Sequence, residues 1–405
     1  MKQFKAFKFQ LKTHTAQEVR LRRFAGCCRL VWNKALALQK ARLDEQQGIL
    51  NYPNMAAELV KWKYAPETAF LREAPSQPLQ QTLKHLDRAL RDAFNKNSPK
   101  RVPRFKKRGV RERFRYPQAF KLDQANSRVF LPKLGWVNYR NSRMIEGTVK
   151  NITLSDNGGA WYVSIQTGQE TEQVLHESGS IIGLDMGVAK FATLSDGTIF
   201  PPVNSYRQHE KKLKTTQRNL SRKVTFSNNW GKQKRKVQKL HTKIANIRRD
   251  YLHKTSTTIS KNHAVVVIED LRVANMSATA KGTAEQHGKN VNAKAGLNKS
   301  ILDQGWHEFR RQLEYKQAWR GGMVIAINPR NTSRACACCG HIAAENRTTQ
   351  RRFECVACEH TENADINAAQ NILAAGHAVI ACGESVHQGR SMKQEPTEQA
   401  AQAAE

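Results

Sequence analysis

Two sets of residues near and beyond the middle of the chain have the types and spacing for chemistry. Cys336-x-x-Cys339 and Cys355-x-x-Cys358 are separated by 15 residues that include a Gly340-His341 turn. Thiolates in two such pairs suit a tetrahedral Zn²⁺ held between two knuckles. Cys338 is a fifth thiol in the same stretch. Adjacent residues cannot both reach one ion from a knuckle turn, so Cys338 is left outside the set, and His341 and His360 are expected at the surface. The second set is acidic. Asp185 ends the apolar run "IIGL", Glu269 ends "AVVVI", and Asp365 stands in the first turn of a helix, seven residues after Cys358. One acid in such a place is usually a turn former or a cap. Three of them, at the carboxyl edge of an α/β sheet, would converge where ligands sit. They would repel one another without a cation, and hard oxygen ligands with open positions suit Mg²⁺ or Mn²⁺. Two such ions about 4 Å apart could activate water and stabilise the leaving oxygen of a phosphodiester.

The charge balance says what such a site would meet. Lys and Arg number 67 against 34 Asp and Glu in 405 residues, a formal net charge of +33. A nucleic acid is the expected partner, because each neutralised phosphate releases condensed counterions. No apolar run approaches the roughly 18 residues of a spanning helix, and "MKQFKAFKFQLK" lacks a signal peptide's apolar core, so no membrane partner is expected and an intracellular protein is. The basic segments 96–115 and 211–249 are unbalanced by acids, and the linker 95–117 interleaves Phe105, Phe114 and Tyr116 with its cations, as stacking on unpaired bases requires. Cys27 and Cys28 fall in the first helix, where packing explains Cys28; Cys382 has no assigned partner.

The length implies two or three folding units. "FKFQL" alternates Phe7, Phe9 and Leu11 against Lys8 and Gln10, a strand with one wet face. Thr15-x-x-Glu18 reads as a capping box before a helix with Leu21, Phe24, Cys28, Val31 and Ala35 on one stripe. A second helix starts near Ser76 and carries Leu79, Leu83, Leu86, Leu90 and Phe94. Residues 127–167 read as a small antiparallel sheet, and a new domain starts near 180. Residues 208–260 read as a basic helical hairpin broken at "SNNWG" (227–231), with Leu213, Leu220 and Val224 on one arm and Val237, Leu240, Ile244, Ile247 and Tyr251 on the other. The polar stretch 274–299 is expected as a mobile loop, and Ser300-x-x-Asp303 as the cap of a helix bearing Trp306, Phe309 and Leu313.

These segments, among them "RLVWNKALAL", "PLQQTLKHLDRAL", "PRFKKR", "IGLDMGVAKFATLSDG", "VVIEDL", "NPRNTSRACACCGH" and "FECVACEHTENADINAAQNI", resemble the TnpB proteins of insertion sequences, compact relatives of type V CRISPR effectors. The resemblance runs nearly end to end. It implies an α/β multidomain protein: an RNase H-like (RuvC-type) nuclease domain, 179–330 and 361–380, with the helical hairpin 208–255 and an inserted four-cysteine zinc ribbon at 331–360. It also implies an N-terminal β-barrel (wedge), 1–12 and 116–178, with a helical recognition domain inserted at 13–115, and a flexible tail at 381–405. Asp185, Glu269 and Asp365 fall on the catalytic positions, and Cys336, Cys339, Cys355 and Cys358 on the zinc ligands. The implied function is an RNA-guided DNA endonuclease, a monomer that works in the bacterial cytoplasm on the nucleoid. Its guide RNA comes from the transposon end, and its target is double-stranded DNA next to a short motif, opened to single strands. Gln80, Gln81 and Lys84 are the candidates for reading that motif, and Arg104, Lys106 and Lys107 for holding nucleic acid. A guide-independent transposase and a nuclease-inactive guided repressor are the alternatives; the three intact acids argue against the second.

Overall fold

The computed structural model describes residues 2–109, 112–172, 174–283 and 285–382. Most of the expected flexible tail, from 383 onward, lies outside the described residues. The chain divides into two compact units, one of residues 1–172 and 216–242, the other of 173–215 and 243 onward.

The first unit opens with β1 (Lys2–Lys12), α1 (Thr15–Asp44), α2 (Tyr52–Tyr64) and α3 (Ser76–Phe94). Strands β2 (Arg113–Tyr116), β3 (Lys121–Asp123), β4 (Arg128–Leu131), β5 (Gly135–Tyr139), β6 (Thr148–Asn157) and β7 (Ala160–Glu170) follow. They make a seven-stranded antiparallel sheet in the order β2-β6-β7-β1-β5-β4-β3. Strand β1 pairs with β7 over residues 2–10 and with β5 at Leu11 and Lys12. No ladder joins the two ends, so the described residues form an open sheet where a closed barrel was expected. Phe7, Phe9 and Leu11 are buried, as their alternation predicts.

Two details of the helices differ from the sequence reading. Helix α1 is capped one residue early: the Gln17 side chain accepts from the His14 backbone N–H at 3.4 Å, while Glu18 pairs with Arg22. In α3 Leu79, Leu83, Leu86 and Leu90 are buried, but Phe94 at the helix end is exposed. Phe114 and Tyr116 are also not available to stack on bases. They lie on the inward face of β2, Phe114 against Phe24 and Trp161, and of the three aromatics in that basic segment only Phe105 is exposed.

The second unit contains β8 (Ile181–Asp185), β9 (Ala192–Leu194) and β10 (Ile199–Phe200). Helices α4 (Ser205–Ser221) and α5 (Asn228–Asn262) come next and contribute residues to both units. Then come β11 (Val265–Glu269), α6 (Val273–Met276), α7 (Val291–Gln304), α8 (Trp306–Arg320), β12 (Met323–Ile327), β13 (Arg352–Glu354), β14 (Thr361–Asn363) and α9 (Ala364–Ala381). The sheet order is β10-β9-β8-β11-β12, with β8, β11 and β12 parallel and β9 and β10 antiparallel additions. Apolar side chains of α5, α7 and α8, among them Leu252, Ile301, Trp306 and Phe309, cover one set of strand residues. Ile372 of α9 packs on Val267, Ile325 and Ile327.

Helix α9 lies so close to β8 that a Cβ on Gly183 would strike the Ala369 carbonyl oxygen. The polar stretch after β11 is not a loop throughout, since α7 occupies residues from Val291. Nor does Asp303 cap the helix that follows it. Gly305, at φ +77°, separates α7 from α8, and the buried Asp303 carboxylate accepts from the Ser205 hydroxyl and the Tyr206 and Arg207 backbone N–H groups, capping α4 instead. The hairpin breaks between α4 and α5, so "NNWG" opens α5, and Val224 sits exposed in the turn.

Candidate active site and thiol cluster

Parallel pairing brings two of the acids together. Leu184 is in register with Ile268, so Asp185 and Glu269, the last residues of β8 and β11, sit side by side at the carboxyl edge of the sheet. Adjacent strands lie about 4.8 Å apart. Asp365 reaches the same neighbourhood from the first turn of α9, whose start is fixed by the Asn363 side chain accepting from the Asp365 backbone N–H at 3.1 Å.

Burial, and then the charges of Glu269 and Asp365, push the Asp185 carboxyl up to about 7; Arg347 and the Met186 backbone N–H oppose this only in part. Burial also raises Glu269, which the Thr332 hydroxyl partly offsets by donating to Oε1 at 2.6 Å. Asp365 is the compensated member. Lys190 Nζ lies 3.1 Å from Oδ2 and 3.1 Å from Asn363 Oδ1, and Arg347 Nη2 lies 3.7 Å from Oδ1. Thr332, Lys190 and Arg347 carried no spacing signal in the sequence, because each reaches its acid from a loop.

The thiols are tighter. Cys336, Cys339, Cys355 and Cys358 place their sulfur atoms all within 4.8 Å of one another, with Cys336–Cys358 at 3.7 Å and Cys339–Cys355 at 3.6 Å. A tetrahedral ion about 2.3 Å from each sulfur would require separations of about 3.8 Å, so the four fit a metal ion as they stand. Cys338 is exposed and outside the cluster. Each knuckle closes through backbone: Cys336 N–H donates to His341 O and Cys355 N–H to His360 O, both at 2.9 Å. The two histidines therefore contribute carbonyls here. The three carboxylates do not gather as tightly as the thiols among the described residues, and Asp365 pairs with Lys190 and Arg347.

Two asparagines of α9 join the acids to the knuckle. Asn367, fully buried, donates to Ala335 O and accepts from the Ala337 N–H, both at 2.9 Å. Asn371 donates to Ala335 O at 2.7 Å and to Thr332 O at 3.0 Å. One helix thus fixes Asp365, the first thiol pair, and the loop that presents Thr332 to Glu269.

The expected nucleic-acid contacts lie elsewhere, in the first unit. Gln80 and Lys84 are exposed and Gln81 half-buried on α3, with Lys84 Nζ 4.9 Å from the Tyr52 ring. Arg104, Lys106 and Lys107 lie on an exposed extended strap tied to α1. Asn33 exchanges hydrogen bonds with the Lys106 backbone, and Trp32 Nε1 donates to Arg104 O. The Lys106 ammonium sits 3.7 Å from the Trp32 ring centre, so it is already engaged, whereas Arg104 and Lys107 face solvent.

Among known proteins, a family model described as "Probable transposase" matches residues 164–280, and one described as "Cas12f1-like, TNB domain" matches 306–372. A third, described as a helix-turn-helix domain, matches 1–48, where the structure has β1 and the single helix α1. A protein of Escherichia coli K12 named "Putative RNA-guided DNA endonuclease InsQ" is 60% identical over 98% of both chains. A relative from Streptomyces pristinaespiralis with the same description is 33% identical over 97% of this chain and 96% of its own. The fold is also that of Cas12f1 in its complex with sgRNA and target DNA: TM-score 0.53 at 16% identity, covering 89% of this chain and 83% of that one. The chain belongs to the TnpB family of insertion-sequence proteins.

Proposed function

We propose that the chain is an RNA-guided DNA endonuclease that cuts with Asp185, Glu269 and Asp365. The observation that carries this reading is that Asp185 and Glu269 end adjacent parallel strands side by side, with Asp365 at a helix start near enough that burial and then the charges of both neighbours raise Asp185 to about 7. Perturbation by like charges in a buried site marks a place built for a cation. The strand order, a three-stranded antiparallel part flanked by two parallel strands, supports an RNase H-like, RuvC-type domain. Its proposed extent is 179–330 and 361–380, with the hairpin 208–255 and a zinc ribbon at 331–360.

Mg²⁺ or Mn²⁺ ions held by the three carboxylates would supply Lewis-acid activation of water and neutralise charge at the scissile phosphate. Glu269 is held in place by Thr332. Asp365 is preset by Asn363 and paired with Lys190, which would have to release it, or share it, as cations bind. Zn²⁺ in the Cys336, Cys339, Cys355 and Cys358 set would fix the ribbon against α9.

In this reading 1–12 and 116–178 form the wedge and 13–115 the recognition domain. Gln80, Gln81 and Lys84 read the motif beside the target, and Arg104, Lys106 and Lys107 hold nucleic acid, while base pairing by the guide supplies sequence. The relatives' names and the +33 charge support nucleic-acid partners.

The test is plasmid cleavage by the full chain purified with its RNA. Metal-dependent cutting should vanish in Asp185→Ala while RNA binding persists. Cutting that survives the change rejects the site, and cutting of element ends by RNA-free protein would favour an unguided transposase.

A further inference from the structure

The turn between α4 and α5 holds an aromatic pair that the proposed chemistry does not use. Phe226 is 87% exposed and sits at φ +69°, a left-handed backbone conformation costly for a bulky side chain. Its ring centre lies 5.5 Å from that of Trp230, and Lys234 Nζ lies 4.8 Å from the Trp230 ring. A large apolar ring held mostly in water by a strained backbone contributes little to the core, and such strain gathers at binding sites.

Lys234 also lines a cavity of about 510 Å³ within the same unit, inside the size range of pockets that take small molecules. The cavity is walled by the first half of α1, the segment after the strap, the β6–β7 turn and the start of α5. The turn is seated firmly: Thr242 donates to Asn157 Oδ1 at 3.2 Å, and a Cβ on Gly158 would come within 2.6 Å of Thr242 Oγ1.

The lining is cationic, with Arg22, Arg23, Arg29, Arg108, Lys234 and Arg235 against Glu112 and Asp156. Glu112 is taken by Arg29 at 3.0 Å, and Arg22 and Arg23 pair outside the lining with Glu18 and Glu73. Among the described residues Arg108, Lys234 and Arg235 have no carboxylate in salt-bridge range.

We propose that this turn and cavity together bind one unpaired nucleotide of a folded RNA, its base on Phe226 and Trp230 and its phosphate among Arg108, Lys234 and Arg235. The proposal rests on the RNA partner of the reading above. A concave, arginine-lined pocket beside an aromatic platform accepts a nucleotide splayed out of a loop or bulge, which is how proteins hold folded RNA. Base stacking on an aromatic ring and phosphate contacts to arginine contribute separately and can be removed separately.

The experiment uses the full chain freed of RNA, a 30-nucleotide RNA stem-loop with 4-thiouridine in its loop, and the DNA stem-loop of the same sequence. Phe226→Gly should lower RNA affinity about five- to a hundred-fold, the range for losing one stacked base, yet raise the melting temperature because glycine relieves the positive φ. Phe226→Trp should keep the affinity. Arg108→Ala and Arg235→Ala should each flatten the salt dependence of RNA binding by about one phosphate contact. Ultraviolet cross-linking should label the peptide holding Phe226 and Trp230. Unchanged RNA affinity in Phe226→Gly, cross-links only elsewhere, or an equal loss on the DNA probe would overturn the proposal. A protein that binds the RNA as expected but never cuts would fail the nuclease reading and leave this site standing.

Discussion

In the proposed site Asp185 would couple proton binding to metal binding. Its folded-state pKa, about 7, stands above the ordinary 3.8 because the site is buried and its neighbours are acids. A carboxyl raised in this way favours the folded state most below about pH 4, and that contribution is lost as the pH climbs through 7. Cations remove the penalty only by binding the ionised form. Millimolar Mg²⁺ should therefore raise the melting temperature more at pH 8 than at pH 6 in a thermal-shift titration, and Asp185→Asn should abolish the difference. Equal shifts at both pH values would mean that Asp185 is not the proton the ion displaces. Thr332 permits a second test. Its hydroxyl is the partner of the buried Glu269 oxygen, and deleting a hydrogen bond to a charged group costs about 1.5–3 kcal/mol. Thr332→Val should slow plasmid cutting roughly ten-fold with the fold intact by circular dichroism, and Thr332→Ser should restore it. Full activity in the valine variant would mean that Glu269 needs no such partner.

Elements that bury a regular stripe were legible in the sequence. Leu79, Leu83, Leu86 and Leu90 on α3, and Phe7, Phe9 and Leu11 on β1, needed only periodicity, because one face of each meets a core. Residues whose partners are distant in sequence were not. Ser300-x-x-Asp303 has the pattern of a local cap, yet Asp303 caps α4, whose Ser205 lies 98 residues upstream, and pairs with Arg248. Lys190, Thr332 and the two asparagines of α9 were silent for the same reason: each acts across a tertiary gap, and nothing in their local pattern distinguishes them from surface polar residues. The cysteine pairs were legible because a knuckle is a local device. That device has its own prediction, since the four thiols converge from two turns closed by backbone hydrogen bonds. Plasma mass spectrometry should find one zinc per chain in Cys338→Ala and none in Cys355→Ser. The second variant should also lose cutting with all three acids present, because Asn367 and Asn371 tie α9 to the Cys336–Cys339 knuckle, which shares the thiol cluster with Cys355. Zinc loss in Cys338→Ala would show that the ligand register is wrong.

At the scale of the whole molecule the excess of 33 positive charges sets the order of events. A free chain so charged binds any polyanion, with an affinity that falls steeply as salt displaces the phosphate contacts, by about 10³ to 10⁵ between 50 and 200 mM when six to ten contacts are made. Such a protein could not search DNA by sequence, because non-specific phosphate contacts would dominate. An RNA of more than about 33 phosphates reverses the net charge on binding, so the loaded particle repels duplex DNA except where base pairing and a few direct contacts outweigh the repulsion. RNA-free protein should therefore bind an arbitrary 50-base-pair duplex tightly at 50 mM KCl with a steep slope of log affinity against log salt. Protein carrying its RNA should bind the same duplex weakly with a shallow slope, and should recover tight, salt-resistant binding only on DNA complementary to the guide. Filter binding over a KCl series measures both slopes. Equal slopes with and without RNA would mean that the guide leaves the basic surfaces open, and that charge does not enforce loading before search.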